Sequence, residues 1–275
     1  MTAEAKSGVR GTAALSGTED LLVHIEDRIA TVTINRAAKH NAMNLEVFGA
    51  IGKVFTALDA DPELRCVVVR GAGGKAFSAG ADISEFESVR KDKTAAKKYA
   101  ELSGPSNDAV VKCRHPVIAL IEGLCVGGGF GLAALCDLRI CGEGSRFGVP
   151  VKRLGLVESM EELEFQVKKY GANAMLQILL VGDLLKADEA RHYGIVNRVV
   201  PDDQVEAAAY EWAAKIAEGA PLTARWHKQF IYRLMEPAPL TDAEKDSGYD
   251  AFDTEDFQRG YKAFLAKEKP SFVGR

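Results

Sequence analysis

The run Ile121-Glu-Gly-Leu-Cys-Val-Gly-Gly-Gly-Phe-Gly-Leu-Ala-Ala-Leu-Cys-Asp137 decides how the chain is read. The apolar residues from Pro116 to Ile121 that lead into it read as a buried strand. Gly127, Gly128 and Gly129 break that pattern. Phe130, Leu132, Ala133, Ala134 and Leu135 then form a helix that is apolar almost all round. A strand, a glycine turn and a buried helix start leave backbone N–H groups without intrahelical partners in one small space. Such groups bind an anion, or a carbonyl oxygen that is gaining charge.

Upstream, a second glycine turn follows a β-rich segment, in Ala76-Phe-Ser-Ala-Gly-Ala-Asp82. Before it, Leu21–Ile25 and Ile29–Ile34 flank Glu26-Asp-Arg28 as a hairpin. Asn44 caps a helix to about Asp59, and Cys66–Val69 is a fully apolar strand. Residues 84–102 are highly charged and read as an exposed helix or mobile segment, with a helix from about Pro105 to Arg114 behind it. Downstream, Ser159 and Glu162 have capping-box spacing for a helix ending at Gly171. Asn173–Leu180 and Lys186–Gly194 read as further helices, and Ile195–Val200 as a last strand. Beyond residue 202 only helical periods remain. The order describes an α/β chain, a layered spiral over 20–201, followed by a C-terminal helical lobe over 202–275. Residues 1–19 are small and polar and read as a flexible tail.

Composition narrows the function classes. The 275 residues are 47% hydrophobic and 27% charged, with a net charge of −4 and scattered Lys and Arg. That speaks against nucleic acid as the main partner. The five cysteines form no CxxC pair and sit in apolar runs, as buried reduced thiols of a cytoplasmic protein do. No apolar run reaches the ~18–20 residues that span a bilayer. His24, His40, His115, His192 and His227 have no metal-ligand spacing, and no metal motif is present.

The two glycine turns, in this order, resemble those of the crotonase superfamily, the enoyl-CoA hydratase/isomerase family. The resemblance runs from residue 21 to about 272. Its carriers are Thr33-Ile-Asn-Arg36, Asn41-Ala-Met43, Phe77-Ser-Ala-Gly-Ala-Asp82, Gly123 to Asp137, Phe147-Gly-Val-Pro150, Leu154-Gly-Leu156, the run from Asp188 to Asn197 and Ala263-Phe-Leu-Ala-Lys267. It implies the crotonase fold, stacked ββα units with a helical C-terminal lobe, packed as a homotrimer or hexamer. It also implies acyl-CoA thioester substrates, with no cofactor beyond the coenzyme A moiety. The backbone N–H groups of Ala81 and Gly128 would form the oxyanion hole. The adenine would lie along the backbone at Ser78 and Ala79, with Arg36 and Lys39 toward the phosphates. Phe264 and Lys267 match residues that reach a neighbouring subunit's nucleotide.

The departures from the family pattern bear on the reaction. Family hydratases carry two glutamates that move protons to and from water. Their positions here are Gly131 and Val151, which cannot transfer a proton. Some family isomerases and dehalogenases place an acid/base in the loop after Leu-Gly. There this chain has Glu158, the candidate proton shuttle, with Glu161 behind it and Glu162 as the capping-box partner. Asp82 and Asp137 read as residues that fix local backbone. The expectation is an enolate-stabilising acyl-CoA enzyme, with double-bond isomerisation favoured. Hydration, decarboxylation of a malonyl-type thioester and non-catalytic acyl-CoA binding stand as alternatives.

Overall fold

A computed structural model describes residues 11–275. Its strands are β1 (Leu21–Glu26), β2 (Ile29–Ile34), β3 (Cys66–Gly71), β4 (Ala76–Ser78), β5 (Val117–Ile121), β6 (Leu124–Val126), β7 (Leu138–Gly142), β8 (Arg146–Gly148), β9 (Leu185–Lys186) and β10 (Arg198–Val200). The helices are α1 (Leu45–Ala60), α2 (Phe86–Val89), α3 (Lys93–Lys112), α4 (Gly128–Leu135), α5 (Met160–Tyr170), α6 (Ala172–Leu176), α7 (Ala187–His192), α8 (Val205–Glu218), α9 (Pro221–Leu234), α10 (Asp242–Asp246) and α11 (Glu255–Ala266).

Two sheets organise the core. The larger runs β1-β2-β3-β5-β7-β10 and the smaller β4-β6-β8-β9. From β3 to β8 consecutive strands alternate between the sheets: β3, β5 and β7 pair in parallel in the large one, and β4, β6 and β8 in the small one. Each turn of the spiral therefore adds one strand to each layer before a helix returns the chain. This is the crotonase fold.

Burial explains the apolar strands. Val67, Val69, Val117, Ala119 and Ile121 face the core between the layers. The alternate residues Cys66, Val68, Ile118 and Leu120 face a second core with Val205, Ala208, Ala209 and Ala213 of α8. Both faces of the large sheet are covered, which is why its central strands carry no polar alternation. The first helix after residue 202 thus closes the outer face of the sheet.

The β1–β2 hairpin turns on Asp27 and Arg28, both at positive φ (50° and 64°), the backbone twist that a two-residue turn needs. Asn44 caps α1 by accepting from Val47 N at 2.9 Å, and Ser159 caps α5 by accepting from Glu162 N at 3.2 Å.

Three expectations change. The tail expected over 1–19 lies partly outside the described residues. From Thr12 the chain is tied down, because Thr12 and Val23 exchange two backbone hydrogen bonds and Ser16 is buried. Residues 93–102 of the charged stretch and the helix expected from Pro105 form one helix, α3, with Pro105 inside it, while Phe86–Val89 form the separate short α2. α3 packs along α1 at Gly52, where a Cβ would stand 2.7 Å from Ser106 Oγ. That close crossing lies one residue beyond Pro105, which has no N–H to donate to the helix. The helix expected at Asn173–Leu180 begins as α6 and widens into a π-turn over Gln177–Val181.

Candidate active site

The two glycine turns lie back to back. Gly80 has φ +100°, and a Cβ there would stand 2.9 Å from Val126 O and 3.1 Å from Gly128 N. No side chain fits, so glycine lets one turn seat on the other. Met43 bridges the first turn: its N–H donates to Gly80 O at 2.7 Å, and its carbonyl accepts from Asp82 N at 2.8 Å. The residue between, Ala81, keeps its N–H free of protein acceptors among the described residues. Gly128, the first residue of α4, also has a free N–H, as the first turn of a helix must. A Cβ built on Gly128 would lie 3.4 Å from Ala81 N, so the two donors border the same small space. The apolar all-round reading of α4 follows from its burial within the inter-sheet core.

The carboxyl end of α4 is held by Lys169, whose amine burial lowers to about 7, and by the buried Arg139. Lys169 Nζ donates to Ala134 O at 2.6 Å and to Cys136 O at 2.5 Å, and Arg139 donates to Cys136 O at 2.7 Å. Positive charge at the negative end of the helix dipole is favourable. Asp137 accepts from Val117 N at 2.7 Å and from Tyr232 Oη at 2.9 Å, and pairs with Lys228 at 2.9 Å. It fixes backbone, as expected.

Both free donors open into a cleft of about 1120 Å³ that also takes in Gly131, Val151, Glu158 and Gln166. Gly131 and Val151 therefore sit on the cavity wall, where they supply no carboxylate. Glu158 does. Burial pushes its carboxyl up to about 7, against a hydrogen bond from Gln166 that lowers it. Gln166 Nε2 donates to Glu158 Oε1 at 3.2 Å, while Glu158 Oε2 is buried with no partner. A carboxyl that titrates near neutral pH and keeps one oxygen uncommitted in a cavity can take up and return a proton. Glu161 lines the same cleft at its exposed rim. Glu162 accepts from Ser159 Oγ at 3.0 Å, so Ser159 caps the helix but the reciprocal bond from the Ser159 backbone N–H that would complete the expected capping box is not made.

The other expected site residues are placed less uniformly. Ala79 lines the cleft. Ser78 does not: it is fully buried, donates to Asn41 O at 2.8 Å and accepts from Gly80 N at 3.1 Å. Its side chain shapes the turn. Arg36, expected toward phosphates, is 11% exposed and turned inward. It pairs with Asp20 at 2.9 Å and Asp82 at 3.0 Å, and donates to the Ala42 carbonyl. Its donors are spent on holding the loop, and Lys39, 51% exposed and 2.8 Å from Asp82, is the exposed cation there. These cations and Ser84 hold the Asp82 carboxyl well below the usual carboxylate range. Phe264 and Lys267 lie on the exposed surface of α11, away from the cleft of their own chain.

Three residues that sequence reasoning passed over belong to the site. Asn41, fully buried, donates to Ala72 O at 2.9 Å and Ala76 O at 2.7 Å and accepts from Arg36 N at 3.0 Å, stitching the loop before α1 to the strand that carries Ala81. Its place inside a quoted motif was the signal. Gln166 and Arg90, which line the cleft, carry no local signal. One is a buried polar residue in mid-helix, the other a charge in a charged run.

Two free N–H donors facing a cavity with a poised carboxyl define a site for polarising a carbonyl group. The chain belongs to the enoyl-CoA hydratase/isomerase family, whose model matches residues 24–275. It is 32% identical over 252 residues to the short-chain-enoyl-CoA hydratase of Clostridium acetobutylicum, covering 91% of this chain and 96% of that one. It is 29% identical over 263 residues to the crotonyl-CoA hydratase of Syntrophomonas wolfei, covering 94% and 99%. Its fold superposes on a crystal structure of an enoyl-CoA hydratase/carnithine racemase from Magnetospirillum magneticum with TM-score 0.92 and 43% identity, covering 94% of this chain and 97% of that one. The protein is thus a crotonase-fold enzyme of the hydratase/isomerase family, and an acyl-CoA substrate fits the family. No helix among the described residues is long and apolar enough to cross a membrane.

Proposed function

We propose that the protein moves the double bond of an enoyl-CoA, with Glu158 as the single proton shuttle beneath a thioester held by Ala81 and Gly128. The thioester oxygen accepts from the two free N–H groups. That polarisation acidifies the C2 protons of a 3-enoyl thioester. The ionised Glu158 carboxylate takes one of them, leaving a dienolate whose oxygen charge the two donors stabilise. The carboxylic acid so formed returns the proton to C4, which places the double bond at C2–C3 and regenerates the carboxylate. One base suffices, since proton count and oxidation state are unchanged. The observation that carries this reading is the partnerless Glu158 Oε2 in the cleft that Ala81 and Gly128 enter. Gly131 and Val151 support it by leaving the cleft without the glutamate pair used for water addition.

Ala79 and the exposed Lys39 are assigned to the coenzyme A moiety. Phe264, 81% exposed, and Lys267 are assigned to the nucleotide of a neighbouring copy in a trimer or hexamer. Hydration is the second reading, favoured by the printed activity of the Clostridium relative. Incubation with a 3-enoyl-CoA and with crotonyl-CoA separates the two, with chromatography and the ultraviolet absorbance of the conjugated thioester reading isomerisation and mass spectrometry reading the gain of water. Isomerisation predicts 2-enoyl-CoA from the first and no gain of water by either. A Glu158→Gln variant should lose roughly 10²- to 10⁴-fold in kcat. Unchanged turnover in that variant removes Glu158 from the mechanism.

A further inference from the structure

The cleft has a second charged feature that proton transfer does not use. Arg90, half-buried at the end of α2, lines the same cavity as Ala81, Gly128 and Glu158. Its guanidinium stacks 3.6 Å above the Tyr99 ring centroid and 5.3 Å from that of Phe86. Among the described residues it has no ion-pair partner, and its polar contact is with the Tyr99 side chain on which it rests. The carboxylates that could have neutralised it are engaged elsewhere. Glu85 accepts from Leu45 N at 3.0 Å, Asp92 from Ala95 N at 2.9 Å, and Glu162 from Ser159 Oγ at 3.0 Å. A planar cation held by two rings and left without a carboxylate partner is set to take one in parallel hydrogen bonds.

Its position relative to the thioester seat follows from a chain of contacts. A Cβ at Gly128 would lie 3.5 Å from the Phe48 ring, whose centroid is 6.0 Å from that of Tyr99, and Arg90 sits on Tyr99. A short acyl chain leaving the seat beside Gly128 passes Phe48 and comes to the guanidinium. We infer that Arg90 receives a carboxylate at the far end of the acyl group, so that the preferred substrates are CoA monothioesters of short dicarboxylic acids. The inference rests on the reading of Ala81 and Gly128 as the thioester seat. It extends that reading to what lies at the other end of the acyl chain.

Adipoyl-CoA and hexanoyl-CoA differ only by the terminal carboxylate, and being saturated neither can be isomerised. Calorimetric titration of both into wild type, Arg90→Met and Arg90→Lys tests the inference without turnover. Wild type is expected to bind adipoyl-CoA roughly ten- to a hundredfold tighter. Arg90→Met should abolish that preference, and Arg90→Lys, which keeps the charge without the planar fork, should retain part of it. Equal affinities in wild type overturn the inference. So does an equal loss for both ligands in Arg90→Met, the result expected if Arg90 contacts the coenzyme A phosphates instead. Failure to turn over a 3-enoyl-CoA would sink the isomerase reading alone and leave this one standing.

Discussion

Gln166 Nε2 donates to Glu158 Oε1 at 3.2 Å from a side chain that is only 2% exposed, and this bond divides the two oxygens of Glu158 into one that is held and one that is free. The bond favours the charged carboxylate, while burial opposes it more strongly. The rate of isomerisation should therefore rise with pH through an inflection near 7, as the base form accumulates. Gln166→Leu removes the stabilising donor and should move that inflection upward, lowering kcat/KM at pH 7 by roughly three- to tenfold. A pH–rate profile with an unmoved inflection would show that Gln166 serves packing alone.

Glu158 also sets a trade between stability and chemistry. Its carboxyl titrates near 7 when folded, against an ordinary 4.5. Between those values the folded state binds more protons than the unfolded state, so stability falls as pH rises through that window. Glu158→Gln abolishes this titration. The variant should be more stable than wild type at pH 8 by about 2–3 kcal/mol, and about equal to it near pH 4. Urea denaturation at the two pH values checks both the size and the sign.

The neighbouring glycines Gly128 and Gly129 should fail in different ways. A Cβ on Gly128 makes ordinary contacts, the nearest at 3.4 Å to Ala81 N, but it projects between the two donors. Gly128→Ala should fold with nearly native Tm and lose roughly 10²- to 10³-fold in kcat/KM. A Cβ on Gly129 would collide with the Ser78 carbonyl oxygen and stand 2.7 Å from Ser78 Cβ. Gly129→Ala should lose about 1–3 kcal/mol of stability through overpacking. Thermal melts and initial rates on the pair separate the two failures, and similar behaviour by both variants would contradict the geometry.

Asp82 binds the loop of Arg36 to the turn of Ala81. Asp82→Ala leaves Arg36, 11% exposed, short of one charged partner. The expected cost is about 1–3 kcal/mol in urea denaturation. Because Asp82 N–H pairs with Met43 beside the Ala81 donor, kcat should fall more than KM rises. A KM effect alone would place Asp82 with coenzyme A binding.

Much of this molecule was legible in the chain, for reasons that can be traced to particular residues. Val67–Val69 and Val117–Ile121 are buried on both faces, and long apolar runs announce such strands. Gly80 and Gly127 stand out because their backbone conformations, φ +100° and +54°, exclude most other residues. The caps Asn44 and Ser159 were readable because a cap is a local event. What escaped depends on partners distant in sequence. Strand pairing between Thr12 and Val23 has no periodic signature in a single bridge. Helix α3 runs through Pro105, a residue that reads locally as a helix start, and it packs on α1 at Gly52. Arg90 lies in a charged run like any solvated residue, and only the folded chain shows its guanidinium on Tyr99 within the cleft. Arg36 shows the same dependence on distant partners, since a basic residue in a site loop gives no local sign of its inward pairing with Asp82 and Asp20.

The five cysteines carry a practical consequence. All are free and buried, and burial pushes their thiols up, to about 11 for Cys113, about 12 for Cys136 and Cys141, and well above the ordinary thiol range for Cys66 and Cys125. The thiolate is the reacting species, so native protein presents a silent background to thiol reagents. A single cysteine placed at Val157, 91% exposed and adjacent in sequence to Glu158, would be the one fast-reacting thiol in the molecule. A fluorophore attached there would report, without any further mutation, when the mouth of the cleft fills and empties.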